Sequence, residues 1–394
     1  MPSSTIAKSL LLPELKLLKA RYDRGTMLLW AVKRSVFEVC PKCGARCEVV
    51  YDHRQVEVRD APVRTRLALL RIRKRRFYCK RCRKPFTEPV DGIRKGYRTT
   101  QRYRKDVRWA CENFTDLKRV RKQYRCSCGL VQSVLYEQLE LERRRKVNYP
   151  WPKKVGIDEH FFRRYRGTAR PEFASLIVDY TNKRIFEVVQ GKTVAELNVG
   201  LSHIPGRENV QNVVLDLCDP FKRFVTEFFP NAQIVADKFH VLRLLTPHIN
   251  RRRKAIAGDR RRNPIGRLLL KNGKHLDYFK RKAVYAWLDE HPELRELYHW
   301  KEAMHGFYRV KGYYRASKVL TRMTDQMALS NLPEIKRLRR TLMKWRKEIL
   351  NYFRTKLTNA RTEAYNNVAK LIQKRAFGYR SFVHYRLRLL NATA

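Results

Sequence analysis

The sequence is poor in acidic residues and has no long apolar run. Only 37 of its 394 residues are Asp or Glu, against 88 Lys and Arg, which gives a formal net charge of +51. No stretch approaches the ~18 apolar residues that a membrane helix needs. The apolar segment Ser9–Leu18 is interrupted by Pro13, Glu14 and Lys16 and lacks a small-residue cleavage site. We therefore expect no membrane anchor, no export signal and a cytoplasmic location.

Low-complexity segments and internal repeats are also missing. Hydrophobic content of 43% and aromatic content of 11% are typical of a folded protein. Basic residues run from Lys8 to Arg388 without forming a separate tail, so the whole body carries a charge that suits a polyanion. A ribosomal or membrane-surface protein would share this charge, but ribosomal proteins are usually shorter and poorer in aromatic residues. The charge therefore favours a nucleic-acid partner.

The nine cysteines are an odd number, which favours metal ligands or free thiols over disulfides in a reducing compartment. Cys40 and Cys43 form one C-x₂-C knuckle, and Cys79 and Cys82 form another. Two such knuckles provide four thiolates for tetrahedral Zn²⁺. We predict a zinc ribbon with a long hairpin between the knuckles. The alternative is four reduced thiols without metal.

The other five cysteines have weaker signals. Cys47 could substitute as a ligand, but a free thiol is the simpler interpretation. Cys126 and Cys128 are separated by one residue, which is poor zinc spacing, so they should pack or face solvent. Cys111 and Cys218 are expected to be core residues.

The N-terminal part, residues 1–98, is predicted to be a helix followed by the zinc ribbon, forming a DNA-binding domain. A short helical opening is expected over Leu10–Trp30. Gln55–Arg59 and Arg66–Phe77 alternate apolar and basic residues, which predicts strands with one apolar and one cationic face.

Residues 99–150 are predicted to form a helix-turn-helix. Asp116–Lys122 would be one helix, Arg125–Gly129 the turn and Leu130–Glu140 the next helix. Four cationic side chains would then face DNA phosphates: Arg119, Arg121, Lys122 and Arg125. Basic amphipathic helix pairs also cover cores without binding DNA, and the pattern alone does not separate the two interpretations.

Residues 151–394 show the pattern of a mixed α/β core. Five segments are predicted as strands: Val155–Asp158, Phe173–Asp179, Arg184–Val189, Val213–Leu217 and Ala232–Ala236. Helices are predicted at Val194–His203 and Pro220–Phe229. A meander followed by βα crossovers indicates an RNase H-like fold. Strand signals then vanish over about 245–357, a predicted helical insertion, before a helix over Ala360–Gln373.

Two acidic residues end buried strands, Asp158 in VGID and Asp216 in VVLD. A carboxylate at the end of a central strand is costly unless a cation meets it. If the strands are neighbours, the two side chains converge, as phosphodiester chemistry with two Mg²⁺ ions requires. Glu363 is the predicted third carboxylate, since Asn359, Glu363, Asn366 and Lys370 share one helical stripe. Lys370 would face DNA phosphate. A surface helix held by salt bridges is the alternative.

Other acidic residues compete for these roles. Glu159 should point to the opposite face from Asp158 because it is the next residue in a strand. Asp219 suits a helix N-cap before Pro220. Asp237 also ends a strand and is an alternative to Asp216, although we expect it to support the site or contact DNA. His240 could line the site, and Asp179 should close a strand into its turn.

The ordered set of motifs resembles the ISL-three group of bacterial insertion-sequence transposases, in the DDE superfamily. The matching segments are CPKCG, FYCKRC, VGIDEHFFRR, VVLDLCDPFKRF, NAQIVADKFHVLRLL and TNARTEAYNNVAKLIQKRAFGYRSFVHYRLRLL. The resemblance implies a zinc ribbon, a helix-turn-helix and an RNase H-like core with a helical insertion. It implies that Asp158, Asp216 and Glu363 are the catalytic carboxylates. The family usually has Gly after the Glu, where this chain has Ala364.

The resemblance further implies binding of terminal inverted repeats and target DNA, and metal-dependent cleavage and strand transfer. Two Mg²⁺ or Mn²⁺ ions and a structural Zn²⁺ are the expected cofactors. Synapsis of two ends favours a homodimer or higher oligomer, associated with the nucleoid. The basic segments Arg251–Lys254 and Arg260–Arg262 would grip flanking DNA. The rivals are a non-catalytic zinc-ribbon and helix-turn-helix regulator derived from a transposase, and a simple metal nuclease.

Overall fold

A computed structural model describes residues 12–113, 116–144, 149–164, 170–257 and 264–392 of the chain. These residues form two compact units that divide between Leu141 and Glu142. None of the described helices has the length and apolar composition that crossing a membrane would require.

The first unit begins with a β-hairpin where a helix was predicted. β1 (Leu15–Asp23) pairs antiparallel with β2 (Thr26–Lys33). The chain reverses at Arg24 and Gly25, with φ of 37° and 81°, the left-handed pair that a tight hairpin turn requires. In β2, Met27, Leu29 and Ala31 are buried while their neighbours are more exposed. The prediction of a helix over Leu10–Trp30 is therefore wrong for its described part, because this period-two pattern and the turn favour strands.

The main sheet of the first unit has the order β1-β2-β6-β5. β5 (Val50–Val63) and β6 (Arg66–Cys79) form a long antiparallel hairpin, and β7 (Lys84–Thr87) pairs with β6. β3 (Glu38–Val39) and β4 (Arg46–Cys47) make a separate small sheet. The strands predicted over 55–59 and 66–77 are confirmed. The hairpin brings the second cysteine knuckle, at the end of β6, back towards the first.

Three helices complete the first unit: α1 (Gln101–Asn113), α2 (Leu117–Tyr124) and α3 (Cys128–Arg144), whose last turn lies in the second unit. Asp116 caps α2 by accepting a hydrogen bond from the backbone N–H of Arg119 at 2.8 Å. The turn between α2 and α3 starts at Arg125, which is left-handed at φ 44°. Two helices joined by a short turn thus lie where the sequence predicted them.

The second unit is built on a five-stranded sheet of order β10-β9-β8-β11-β12. β8 (Lys154–Arg164), β9 (Pro171–Asp179) and β10 (Arg184–Gln190) form an antiparallel meander. β11 (Asn212–Leu215) lies parallel to β8, and β12 (Gln233–Ala236) lies parallel to β11. All five predicted strands are confirmed. The helices α4 (Val194–Leu201) and α5 (Asp219–Phe228) lie between them in sequence, also as predicted.

A long helical segment follows β12 without any strand in its described residues. It comprises α6 (Lys238–Leu242), α7 (Thr246–Ala257), α8 (Pro264–Leu270), α9 (Tyr278–Asp289), α10 (Pro292–Phe307), α11 (Tyr313–Ala328), α12 (Pro333–Lys344) and α13 (Arg346–Thr355). Its apolar side chains share one core with β11, β12 and α5. The chain then returns to the sheet as α14 (Ala360–Arg375), as predicted, and ends in α15 (Phe382–Ala392), a helix that the sequence analysis missed.

Candidate functional site

Four cysteine thiols of the first unit, Cys40, Cys43, Cys79 and Cys82, lie within 4.8 Å of one another. The Sγ atoms of Cys40 and Cys82 are 3.9 Å apart, and those of Cys43 and Cys79 are 3.6 Å apart. Tetrahedral coordination with Zn–S bonds of about 2.3 Å requires sulfur separations of about 3.8 Å. The thiols therefore fit a zinc ion. Gly44, at φ 71°, turns the first knuckle and donates its N–H to the carbonyl oxygen of Cys40.

The remaining cysteines lie outside this cluster. Cys47 is buried nearby, and its thiol points to the carbonyl oxygen of Ala45 at 3.5 Å. Burial raises the pKa of Cys47 to about 11, and its thiol is not one of the four that lie within 4.8 Å of one another. Cys126 is buried and Cys128 is exposed, while Cys111 is buried and Cys218 is half-buried against the core.

Three carboxylates lie at one edge of the second unit's sheet. Asp158 is within β8, Asp216 directly follows β11 and Asp237 directly follows β12. β8, β11 and β12 run parallel, but β8 continues past Asp158 to Arg164, so the prediction that Asp158 ends its strand was wrong; pairing with β9 extends the strand. Asp158 still lies beside the carboxyl end of β11, because Ile157 is in register with Leu215. The neighbouring strands that the sequence analysis required for convergence of Asp158 and Asp216 are therefore present.

Helix α14 lies across this edge and binds two of the carboxylates. The Asn366 side-chain amide donates to Asp158 Oδ2 at 2.5 Å, and the Asn359 amide donates to Asp216 Oδ1 at 3.0 Å. Glu363 lies between the two asparagines on the same helix. The predicted stripe of Asn359, Glu363, Asn366 and Lys370 thus faces the site, although the sequence analysis did not foresee that its asparagines bind the aspartates.

The helix approaches the sheet closely because position 156 has no side chain. A Cβ atom on Gly156 would lie 2.2 Å from Thr362 Oγ1 and 2.6 Å from the Tyr180 ring. The Tyr180 hydroxyl shares a hydrogen bond of 2.8 Å with Thr362 Oγ1 and donates to the carbonyl oxygen of Thr358 at 3.0 Å. Gly156 therefore sets the distance between α14 and β8.

The three predicted catalytic carboxylates, of Asp158, Asp216 and Glu363, line one open cleft of about 420 Å³. Lys370 lines the same cleft. Burial raises the pKa of Asp158 to about 7, and the negative charge of Asp216 adds to this shift. A carboxyl group with a pKa near 7 is only partly ionised at neutral pH. A cation bound beside both carboxylates would stabilise its ionised form. Oxygen donors around an open cleft are the ligand type that Mg²⁺ and Mn²⁺ prefer, so the chemistry of these residues fits such ions. Among the described residues, the ligand atoms at this edge that lie within 4.8 Å of one another are those of Asp216, Asp237 and His240.

One protein cation already lies at this edge. His240 Nδ1 is 2.9 Å from Asp216 Oδ1 and 3.0 Å from Asp237 Oδ2. The hydrogen bonds to Asp216 and Asp237 raise the pKa of His240 to about 10, so its imidazole is protonated at neutral pH. Although burial opposes it, hydrogen bonding by His240 and by the backbone N–H of Asn359 holds the pKa of Asp237 below its usual range.

A buried hydrogen-bond chain connects the last helix to Asp158. The side-chain N–H of Asn366 donates to Asp158, so the Oδ1 atom of Asn366 is left as a hydrogen-bond acceptor. That Oδ1 atom lies 3.0 Å from His160 Nδ1. Nδ1 must therefore carry a proton. His160 Nε2 lies 2.5 Å from the Tyr385 hydroxyl on α15 and, in the neutral ring, accepts from it. Burial lowers the pKa of His160 to about 4, which keeps the imidazole neutral.

The competing acidic residues have other partners. Asp179 accepts hydrogen bonds from the backbone N–H groups of Thr181 and Asn182, and closes its strand into the turn as predicted. Asp219 is the first residue of α5 rather than its N-cap, which is Cys218, and its carboxylate pairs with Lys344. The N-cap prediction was wrong because the helix begins one residue earlier than Pro220.

Glu159 differs from its prediction as well. It borders the cleft, although it was expected to face away from the site, because the cleft extends sideways to Leu217 and Cys218. Its carboxylate lies 3.6 Å from Lys192 Nζ, and its backbone N–H donates to Asp158 Oδ1 at 2.8 Å. Glu159 thus orients Asp158 through its main chain.

The predicted DNA-contacting cations divide into two groups. Arg119, Arg121, Lys122 and Arg125 are all exposed on or beside α2. In the segment Arg251–Lys254, by contrast, Arg252 pairs with Glu293 and Glu334, and Arg253 is buried against Asn250. These two arginines have partners within the helical segment, whereas Arg251 and Lys254 of the same predicted segment are exposed. The segment Arg260–Arg262 lies outside the described residues.

His160 and Tyr385 are site residues that no prediction named, and the hydrogen bonds of Asn359 and Asn366 to the aspartates were not predicted although both lie on the predicted stripe. Two signals pointed to them. Asparagine is a poor residue for a helix interior, so its recurrence in α14 required a partner. His160 lies two residues after Asp158 in a strand and therefore shares its face. No local signal identified Tyr385, because its contact with His160 spans 225 positions.

Comparison with known proteins agrees with this geometry. Residues 155–389 match a transposase family of the DDE type in the ISL-three group, and residues 37–82 match the zinc finger of the transposases of IS204, IS1001, IS1096 and IS1165. The transposase for insertion sequence element IS1001 of Bordetella parapertussis is 22% identical over 366 residues, which covers 89% of this chain and 87% of that protein. Membership of this group implies DNA binding, divalent-metal use and a zinc-bearing N-terminal part. The chain belongs to the ISL-three family of DDE transposases.

Proposed function

We propose that Asp158, Asp216 and Glu363 are the catalytic carboxylates of this transposase and hold two Mg²⁺ or Mn²⁺ ions. The observation that carries this assignment is the pair of hydrogen bonds from Asn366 to Asp158 and from Asn359 to Asp216. Asn366 lies in the helix that carries Glu363 and Asn359 is the N-cap residue of that helix, so one helix and its cap hold all three acidic groups at one cleft. The strand order β10-β9-β8-β11-β12 supports an RNase H-like core for this unit.

The chain's own residues have distinct tasks in this proposal. When bound, a pair of divalent ions activates the attacking hydroxyl and stabilises the leaving oxygen. Asn366 and the backbone N–H of Glu159 each bind one oxygen of Asp158 and fix the plane of its carboxylate. His240 supports Asp216 and Asp237 as a fixed positive charge. Lys370, on the cleft wall, binds a DNA phosphate.

We further propose that α2 and α3 form a DNA-binding helix-turn-helix. The short turn and the exposed Arg119, Arg121, Lys122 and Arg125 support it. Together with a zinc ribbon at Cys40, Cys43, Cys79 and Cys82, this part would bind the terminal inverted repeats of the element. Pairing of two element ends requires a dimer or higher oligomer on chromosomal DNA in the nucleoid.

A strand-transfer assay tests the carboxylate assignment. The substrate is duplex DNA from the flanks of the gene, incubated with the protein, a target plasmid and Mg²⁺. We expect Asp158→Asn, Asp216→Asn and Glu363→Gln each to reduce joined product at least about 10³-fold, because each removes a metal ligand. Asp219→Asn is the matched control, since Asp219 is an exposed aspartate paired with Lys344. It should keep activity within about twofold.

The products also separate the possible reactions. Joined DNA that disappears in the three variants supports transposition, whereas cut but unjoined DNA from the wild-type protein indicates a nuclease. Full activity of Glu363→Gln would contradict the assignment of the third carboxylate. If Asp237 rather than Asp216 is the second catalytic carboxylate, activity should survive Asp216→Asn and be lost in Asp237→Asn.

A further inference from the structure

Phe377 is a strained and exposed aromatic residue beside the cleft helix. Its side chain is 91% exposed. Its φ is 52°, in the left-handed region that bulky residues rarely adopt. A large apolar surface in water and an unfavourable backbone conformation both oppose folding at this residue. Neither is explained by the contacts that hold the fold together, so the residue is a candidate for binding.

The strain arises from the way α14 ends. The N–H of Gly378 donates to the carbonyl oxygen of Gln373 at 2.9 Å, and the N–H of Phe377 donates to that of Lys374 at 3.2 Å. This bond pair is a Schellman motif, in which the first residue after the cap is left-handed and is usually glycine. Here that position is Phe377, and the glycine comes one residue later. The chain therefore places an aromatic ring where glycine would be easier to accommodate.

The turn that carries Phe377 is fixed on both sides. Before it, the Gln373 side-chain amide donates to the carbonyl oxygen of Phe162 at 3.1 Å. After it, the Tyr379 ring packs against Tyr385, with ring centroids 5.2 Å apart. The flanking Lys374, Arg375 and Arg380 are exposed. A ring on an anchored turn among cations has the features of a nucleic-acid stacking platform.

Its spacing relates Phe377 to the cleft. Glu363 and Lys370 are seven residues apart on α14, which keeps them within about 20° of one helix face, and Phe377 lies two residues beyond the end of this helix at Arg375. Glu363 and Lys370 both line the cleft. From Glu363 to Arg375 the helix is about 18 Å long, and with the two further residues to Phe377 this corresponds to about five to six base steps of DNA. DNA that enters the cleft and follows α14 past Lys370 would thus reach Phe377.

We propose that Phe377 stacks on an unstacked base of the bound DNA, about six nucleotides from the reacting phosphate. The inference rests on the proposed function only for the presence of DNA in the cleft. Stacking tolerates any base, because every base offers an aromatic face. Phe377 therefore fixes the position of the DNA duplex on the protein through this stacked base. The exposed cations beside it contact the DNA phosphate backbone.

Substitution by glycine gives the sharpest test, because stability and binding should change in opposite directions. Phe377→Gly removes the backbone strain, so we expect the melting temperature to rise by about 1–4 °C. The same change should weaken binding of end DNA by about 5- to 150-fold, the range for loss of one base–aromatic stack. Binding is measured by fluorescence anisotropy in Ca²⁺, on a labelled duplex from the flanks of the gene.

Further variants complete the design. Phe377→Trp should keep wild-type affinity, and Leu371→Ala, an exposed apolar residue on the same helix, should leave it unchanged. A mismatch placed six positions from the end should strengthen wild-type binding, since the base is easier to unstack, and should not help Phe377→Gly. Unchanged affinity of Phe377→Gly overturns the proposal. So does a loss of self-association by light scattering with DNA affinity intact, which identifies a protein interface.

These results are separable from the catalytic assignment. If Asp158→Asn abolishes strand transfer while Phe377→Gly binds DNA normally, the transposase mechanism stands and the stacking role falls.

Discussion

The two candidate metal sites of this chain are built in different ways. The cysteine cluster uses two knuckles at the ends of one long hairpin, and its four thiols are buried or half-buried. The carboxylate cleft uses β8, the ends of β11 and β12, and a helix that is distant in sequence, and it is open to solvent. A closed set of four ligands suits a metal that holds the fold, whereas an open set suits metals that must also meet a substrate. The predictions below test this contrast.

Removal of a zinc ligand should give the largest effect. Cys79→Ser is expected to abolish zinc binding and unfold the zinc-binding part, because binding and folding of such sites are coupled, with apparent binding energies of about 10–16 kcal/mol. Zinc content by mass spectrometry and loss of β-structure by circular dichroism measure this. Cys128→Ser, at an exposed cysteine outside the cluster, is the control and should retain one zinc per chain. A folded Cys79→Ser protein without zinc would remove the distinction between the two sites.

The carboxylate cleft depends instead on the approach of α14 to the sheet. Gly156→Ala places a Cβ atom 2.2 Å from Thr362 Oγ1, so the helix must shift away. We expect a stability loss of about 1–3 kcal/mol and a drop in strand transfer of about 10²-fold, because small displacements of catalytic groups are costly. Urea unfolding and the strand-transfer assay measure the two effects. Gly129→Ala, a helical glycine with nothing within 4 Å of the added atom, is the control.

Loss of the hydrogen bond to Asp158 should have an intermediate effect. Asn366→Ala leaves Asp158 Oδ2 without its donor, and the loss of such supporting groups typically reduces metal affinity or activity 10–100-fold. The Mg²⁺ concentration for half-maximal activity should rise accordingly. Tyr385→Phe removes only the hydroxyl that donates to His160, at the end of the hydrogen-bond chain farthest from Asp158. It should raise the half-maximal Mg²⁺ concentration less. An effect of Tyr385→Phe that equals that of Asn366→Ala would contradict this gradient.

The pH dependence of metal binding should be smaller but specific. Without metal, Asp158 has a pKa of about 7 and must lose its proton to bind a cation. A group with that pKa is about one-eleventh ionised at pH 6 and ten-elevenths ionised at pH 8. The apparent Mg²⁺ affinity should therefore rise about tenfold between these values and then level off. Titration of activity against Mg²⁺ at each pH measures it.

The contribution of Asp158 to folding stability should change with pH in the opposite direction to the Mg²⁺ affinity. Because the folded protein holds the Asp158 proton more tightly than the unfolded chain, this group favours folding most at low pH. Its contribution falls as the pH rises from about 4 through 7. Without added Mg²⁺, Asp158→Asn should remove that part of the pH dependence of the melting temperature, whereas Asp219→Asn should retain it.

The sequence predicted those features that leave a local pattern. Buried runs that end in Asp158 and Asp216, and the C-x₂-C knuckles, are readable because strands and metal ligands impose spacing. The prediction of a helix for the opening hairpin was wrong because its leucines fit a helical period as well as an alternating one; the turn at Arg24 and Gly25 and the pairing of β2 with β6 favour the strands. The roles of His160 and Tyr385 depend on contacts between distant segments, which spacing cannot express. The left-handed Phe377 was missed because the Schellman motif normally has glycine at that position.

The helical segment between β12 and α14 leaves and rejoins the sheet at one point. The backbone N–H of Asn359 donates to Asp237 Oδ1 at 2.8 Å, although the two residues are 122 positions apart. A segment whose two ends meet within one hydrogen bond behaves as a closed module. We therefore expect insertions or deletions at turns of this segment away from the sheet to leave the carboxylate cleft intact, provided that the hydrogen bond between Asn359 and Asp237 is kept.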